Sequence, residues 1–202
     1  MKIRQKIIKA IFDIVFSILG LLLFGWLIIL LIVVATIDTK LFGLFCQKRI
    51  GFKGKEFYIL KIRTMKVKYE TSNSVTIAND DRITALGKVL RKYKLDELPQ
   101  LINILIGKMS FVGPRPDVKG FADKLVGEDK IILTVKPGIT GPASLFFRNE
   151  EELLVHKENP YEYNRIIIWP NKVAINKEYI KNYTFKRDLQ ILYNTVSYVI
   201  QK

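Results

Sequence analysis

From Ile14 to Ile37 the chain reads IVFSILGLLLFGWLIILLIVVATI, 24 residues without a charge, bounded by Asp13 and Asp38. About 20 such residues are enough to cross the hydrocarbon core of a bilayer as a helix. The run is too long for the apolar centre of a cleaved leader, which covers about 7–15 residues, and Val33–Ala35 is a poor cleavage signal. A core helix of a soluble domain is a weaker explanation, because its exposed face would normally carry charge over such a length. The segment is therefore read as embedded in a membrane.

Its flanks restrict how it is embedded. Lys2, Arg4, Lys6 and Lys9 precede it, and Lys40, Lys48, Arg49, Lys53 and Lys55 follow it. Basic residues beside a membrane segment favour the cytoplasmic side, and a single crossing cannot place both flanks there. A helix that enters and returns on one face can. The expected bend lies at Gly20 or Gly25, where a helix is most easily broken. No second apolar run of spanning length follows, so residues 1–40 are assigned to the membrane helix and 41–202 to one domain on a single side.

Composition narrows the class of that domain. Lys and Arg outnumber Asp and Glu by 33 to 19, giving a formal net charge of +14, yet 49% of residues are hydrophobic. Nucleic-acid binders reach such charge but seldom with so much apolar surface, whereas an anionic lipid surface rewards both, at about 1 kcal/mol per nearby Lys or Arg. The lone Cys46 forms no internal disulfide, which fits a reducing compartment. The lone His156 lies in an acidic stretch, which argues against His-rich metal sites and His-dependent triads.

Residues Leu44–Met65 mix β-branched and aromatic residues around Gly51 and Gly54 and predict a β-hairpin. Lys66–Asn79 is polar and reads as a loop. From Arg82 the period becomes helical, with Leu86, Val89, Leu90 and Tyr93 on one face and Lys88, Arg91, Lys92 and Lys94 elsewhere, a pattern suited to a lipid interface or to a core-facing helix with a basic outer side. LPQLINILIG continues as a second apolar helix that Gly107 ends. SFVGPRPD and VKPGITGPAS read as rigid turns able to surround a phosphate with backbone N–H groups and a basic side chain. Glu150–Glu162 reads as an acidic loop, and two Tyr- and Lys-rich helices close the chain. The fold expected is α+β and mainly helical: a re-entrant membrane helix, interfacial amphipathic helices and a small hairpin.

Between the two helices stands KLDELPQL, with adjacent Asp96 and Glu97. The pair would serve as a helix start, since Asp is a preferred N-cap, Glu suits the first turn and Pro99 is tolerated there. It would equally serve phosphoryl transfer. One carboxylate can attack phosphorus to form an acyl phosphate, and a neighbour can hold Mg²⁺, which takes oxygen ligands and bridges to phosphates.

KIRTM (Lys61–Met65), DDRITALGKVLRKYKLDELPQLINILIGKMSFVGPRP (Asp80–Pro116) and KPGITGPASLFFRNEEELL (Lys136–Leu154), taken in order, resemble the bacterial sugar transferases, the monotopic phosphoglycosyl transferases. The likeness extends from KAIFDIVFS to YTFKRDLQILYNTV, nearly the whole chain. It implies transfer of a phospho-sugar from a nucleotide sugar, usually UDP-linked, to a polyprenol phosphate such as undecaprenyl phosphate, with release of UMP. The partners implied are donor, lipid acceptor and membrane lipids but no nucleic acid, and a homodimer is left open. The location implied is the cytoplasmic face of the bacterial inner membrane. The resemblance assigns Asp96 as nucleophile and Glu97, with Asp96, as the Mg²⁺ ligands. It assigns Arg91 and Arg115 to phosphate, Lys61 and Arg63 to the basic positions of the KIRTM element, and Arg148 to nucleotide or sugar choice.

Two departures stand out. Many members break the membrane helix with Ser-Pro, where Gly25–Trp26 stands here, and many carry Asn-Gly-Arg-Asn after PGITG, where this chain has GPASLFFRN. The second departure points to a branch with a different sugar.

Overall fold

The computed structural model describes residues 1–66 and 80–201 of the 202-residue chain. Apart from Lys66, the stretch expected as a polar loop lies outside the described residues.

The apolar run becomes part of one long helix, α1 (Ile3–Thr39), whose 37 residues are long and apolar enough to cross a membrane. Gly20 and Gly25, where the bend is expected, both lie within this helix. One stripe of α1 is covered by the rest of the chain: Lys9, Asp13, Ser17, Ile28, Leu31, Ala35 and Thr39 are buried. Lys9, Asp13 and Ser17, and again Ile28, Leu31, Ala35 and Thr39, follow one another in steps of three or four, the spacing of a helix face. Every section of the stripe meets a different part of the domain, as the elements below show.

The hairpin forms as the sequence predicts. Strands β1 (Leu44–Ile50) and β2 (Glu56–Ile62) pair antiparallel, with Arg49 opposite Phe57 and Phe45 opposite Lys61. Helix α2 (Ala85–Lys92) is capped by the Thr84 hydroxyl, which accepts from Gly87 N at 2.8 Å. Ile62 of β2 and Leu90 of α2 pack with Ile28, Leu31 and Ala35 of α1 in one cluster. Helix α3 (Gln100–Leu105) follows and ends before Gly107, whose φ of +73° a side chain would strain. Leu101 of α3 lies against α1 so closely that a Cβ on Gly20 would sit 3.0 Å from its Cδ1.

The two Pro/Gly turns come together, which the sequence reading did not foresee. Strand β3 (Ser110–Val112) and strand β4 (Gly138–Thr140) pair in parallel, Ser110 opposite Gly138 and Val112 opposite Thr140. Glycine makes this approach possible: a Cβ on Gly138 would lie 2.2 Å from Gly113 N, and one on Gly141 2.1 Å from Gly113 O. On the other side of β3, Asp13 of α1 accepts from Ser110 Oγ and Phe111 N, both at 3.1 Å.

The remainder is helical: α4 (Pro142–Phe146), α5 (Glu150–Val155), α6 (Pro160–Tyr163), α7 (Trp169–Lys181) and α8 (Phe185–Ile200). The acidic stretch expected as a loop thus contains α5 and α6. Asn159 caps the second of these, accepting from Glu162 N at 3.1 Å. The main core joins Val112, Ile132, Val173, Tyr179, Ile180, Tyr183 and Ile191.

Helix α1 is fastened to this core by charge. Lys9 Nζ lies 2.5 Å from Asp188 Oδ2, and the Tyr179 and Tyr183 hydroxyls donate to the same carboxylate at 2.5 and 3.0 Å. Removing one partner of a buried pair leaves the other uncompensated, at a cost of about 3–5 kcal/mol. Asp188→Ala should therefore destabilise the detergent-solubilised protein by that order in denaturant unfolding, and adding Lys9→Met should restore part of the loss. Equal stability of the single and double variants would show that the pair is not coupled.

Candidate active site

The acidic pair does not cap a helix. Leu95–Glu97 forms a short 3₁₀ turn of its own, and Pro99 occupies the N-cap of α3 with no side-chain cap bond. Both carboxylates are turned inward: Asp96 is 7% and Glu97 6% exposed. Burying two adjacent acids is costly unless cations or donors meet them, and the chain supplies those unequally.

Glu97 is held from two sides. Lys61 Nζ on β2 lies 3.2 Å from Oε1, and the Arg115 guanidinium on the Pro-Arg-Pro turn bonds the same oxygen through Nη2 while its Nη1 lies 3.4 Å from Oε2. Arg115 Nη1 also donates to Ile139 O of β4 at 3.3 Å, so the pairing of the two glycine-rich turns sets its position. Burial alone would raise the Glu97 carboxyl, but Arg115 and then Lys61 outweigh it and hold it well below its usual range. Lys61 is lowered by burial, against the pull of Glu97. The Arg115 side chain remains 40% exposed, leaving part of the guanidinium open to an incoming anion.

Asp96 has no such partner. Its Oδ1 is buried without a hydrogen bond, and so are both amide atoms of Gln100, four residues on. Burial, and next the charge of Glu97, push the Asp96 carboxyl above its usual range, while Lys61, Lys94 and Arg91 oppose the shift. Adjacent acids are thereby driven apart, one fixed as a charge and one left unsatisfied. Such separation commonly marks two different roles in a reaction.

The other predicted residues are distributed differently. Arg91, on α2, acts on Asp96 through its charge. Arg63 turns to the start of the hairpin, donating from Nε to Phe42 O at 2.8 Å and lying 5.1 Å from the Phe45 ring. Arg148 lies 5.0 Å over the Tyr198 ring, on α8. Lys61 and Arg115 are thus the two that touch the acidic pair directly.

Two residues beside Arg115 were not singled out by the sequence. Arg49, at the end of β1, was counted only among the basic flanks, and Asp117 was only the last letter of a turn. Burial pushes Asp117 up to about 6 against the pull of Lys172, Arg49 and Arg115. Lys172 in turn lies 2.5 Å from Glu150 Oε2, which joins α7 and α5 to this side of the site.

A divalent cation can be tested against these groups. Among the described residues no cluster of three or more acidic, His or Cys side chains is present. Mg²⁺ needs no such cage, since one or two carboxylates with substrate phosphates and waters suffice. The unpartnered Asp96 Oδ1 fits that requirement, and Glu97 adds a second carboxylate whose oxygens are shared with Lys61 and Arg115.

Comparison with known proteins places the chain in a family. The family model described as bacterial sugar transferase matches residues 4–202. The undecaprenyl-phosphate galactose phosphotransferase of Salmonella typhimurium is 32% identical, over 100% of this chain and 42% of its own length. The UDP-glucose:undecaprenyl-phosphate glucose-1-phosphate transferase of Escherichia coli is 34% identical, over 95% of this chain and 40% of its own. The exopolysaccharide production protein ExoY of Rhizobium meliloti is 31% identical, over 93% of this chain and 83% of its own. The chain thus spans about two fifths of the length of the first two and most of the third.

The raised Asp117 carboxyl has a consequence for stability. Its folded value of about 6 exceeds the usual 3.8, so the folded protein binds the extra proton between those values. That contribution is fully present below about pH 4 and is lost as pH rises through 6. Asp117→Asn should therefore raise the melting temperature relative to the parent at pH 7 and not at pH 4. A difference independent of pH would contradict the assignment.

Proposed function

The chain belongs to the bacterial sugar transferase family, and we propose that it transfers a phospho-sugar from a UDP-sugar to polyprenol phosphate, releasing UMP, as the initiating step of a bacterial surface glycan. The named activities of the Salmonella and Escherichia coli relatives support the class of donor and acceptor. The observation that carries the mechanism is the asymmetry of the pair: Glu97 is fixed between Lys61 and Arg115, while Asp96 Oδ1 has no partner.

In this reading the reaction has two displacements. A carboxylate oxygen of Asp96 attacks the sugar-bearing phosphorus, the bond from that phosphorus to the bridging oxygen breaks, and UMP leaves with the electron pair. The aspartyl phospho-sugar is then attacked by a phosphate oxygen of the lipid. The phosphorus–aspartate bond breaks, the carboxylate returns, and a polyprenyl diphospho-sugar departs. One site can serve a soluble donor and a lipid acceptor in turn because the covalent step separates them. Arg115, through its exposed edge, and Arg91 neutralise phosphoryl oxygens, and Glu97 keeps Arg115 and Lys61 in register. Mg²⁺, when bound by Asp96 and Glu97, would supply further charge neutralisation for the phosphates. Arg148 and Arg63 are assigned no step.

The position of α1 supports a site at the membrane surface. Its covered stripe meets the domain from Lys9 to Thr36, where Thr36 Oγ1 accepts from Gly43 N at 2.8 Å. At 1.5 Å per residue this is a contact about 40 Å long, longer than the roughly 30 Å hydrocarbon core. An upright crossing would draw β2, α2, α3 and β3 into the lipid with the helix. Re-entering on one face instead, α1 keeps both basic ends on the cytoplasmic face of the inner membrane and turns Leu22, Trp26 and Ile29, each at least 66% exposed, to the acyl chains.

The purified protein with Mg²⁺, polyprenol phosphate and a panel of UDP-sugars should release UMP for at least one sugar. Asp96→Asn should remove that release by several orders of magnitude. Folded protein that releases no UMP across a broad panel would sink the proposal. For topology, single cysteines at Lys2 and Lys55, with Cys46 replaced, should be labelled from the same side. Labelling from opposite sides would eliminate the re-entrant placement.

A further inference from the structure

Among the described residues, the Arg49 guanidinium has no carboxylate within hydrogen-bond or ion-pair distance. Nε and Nη2 donate to Gln47 Oε1 at 3.2 and 2.6 Å, and Nη1 donates to Pro116 O at 3.3 Å. All of these acceptors are neutral. A guanidinium carries five N–H groups, so two remain uncommitted. The side chain is half-buried, where an unpaired charge is costly.

Its nearest charged company is another cation. Pro116, to which Arg49 is bonded, directly follows Arg115, and burial together with the Arg115 charge pushes Arg49 down to about 10. Of the carboxylates within electrostatic range, Glu97 is committed to Lys61 and Arg115, and Asp117 forms no ion pair with Arg49. Two guanidiniums side by side around one rigid turn are what a polyanion requires: planar forks suited to bidentate contact with phosphate. The order along the site also has a direction. Arg115 bonds Glu97 beside the Asp96 carboxylate, whereas Arg49 holds the Pro116 carbonyl one residue further on.

We propose that Arg49 is the second arm of a diphosphate clamp, binding the phosphate of the leaving nucleoside monophosphate while Arg115 meets the phosphoryl group being transferred. The inference rests on the proposed function, because it names the residue that holds one part of that donor. Gln47 and the Pro116 carbonyl orient the fork before the ligand arrives, so that little freedom is lost on binding.

The test is equilibrium binding of UMP and of uridine to the full chain in lipid nanodiscs, without turnover. In the parent, UMP should bind more tightly than uridine because of its phosphate. In Arg49→Gln that advantage should shrink about 10–100-fold, the loss expected for hydrogen bonds to a charged group, with uridine affinity unchanged. Arg49→Lys, which keeps the charge but not the fork, should recover only part of it. A purely structural role would lower the melting temperature and leave the ratio of the two affinities intact. Folded Arg49→Gln or Arg49→Lys with the parental ratio overturns the clamp. Parent protein that binds neither UMP nor any UDP-sugar overturns the function reading itself, and the clamp with it.

Discussion

The Glu97 carboxylate, buried and gripped by Lys61 and Arg115, is the contact on which the rest of the site depends. Lys61 comes from the hairpin, Arg115 from the turn after β3, and Glu97 from the link between α2 and α3. Three segments distant in sequence are thus fixed by one charged group. A buried acid with two cations is stable only while all are present, since removing one leaves charge uncompensated in a poorly solvated place. The same grip makes Asp96 different from its neighbour. With Lys61 and Arg115 committed to Glu97, Asp96 keeps an oxygen without a partner and a raised carboxyl, which suits a group that must bond to a substrate.

What makes the grip possible lies further away. Arg115 reaches Glu97 because its turn packs against the second Pro/Gly turn, with Gly113, Gly138 and Gly141 allowing backbones to approach where any Cβ would collide. The turns in turn rest on α1, through Asp13 to Ser110 and Phe111. Helix α1 is therefore a structural support of the candidate site. In the proposed function this arrangement would place the Asp96 carboxylate beside the lipid surface, where a polyprenol phosphate would present its head group.

Much of this was legible in the sequence, and the parts that were not share a cause. The uncharged run, the hairpin around Gly51 and Gly54, the end of α3 at Gly107 and the two closing helices are local patterns, and local patterns survive folding. The acidic pair was ambiguous because Asp and Glu before Pro99 satisfy capping rules and catalytic needs alike. Only burial and the partners of Glu97 separate the two, and those partners are 36 and 18 residues away in the chain. The parallel pairing of β3 with β4 was missed because each strand is only three residues long. Arg49 and Asp117 were missed because a basic residue in a basic flank and an acid after a proline carry no local signal. Their meaning comes from the turn they share. The stretch Glu150–Glu162 misled by its charge, although Asn159 before Pro160 offered a helix start.

The proposed function requires Asp96 to be the nucleophile of a covalent step while Glu97 serves as its charged support. Intact-protein mass measurement after incubation with the accepted UDP-sugar and Mg²⁺, with polyprenol phosphate withheld, addresses that claim most directly. The protein should gain the mass of one phospho-sugar, located by peptide mapping to Asp96 and discharged when polyprenol phosphate is added. UMP release that requires the lipid acceptor from the outset, with no added mass at any time, would contradict it.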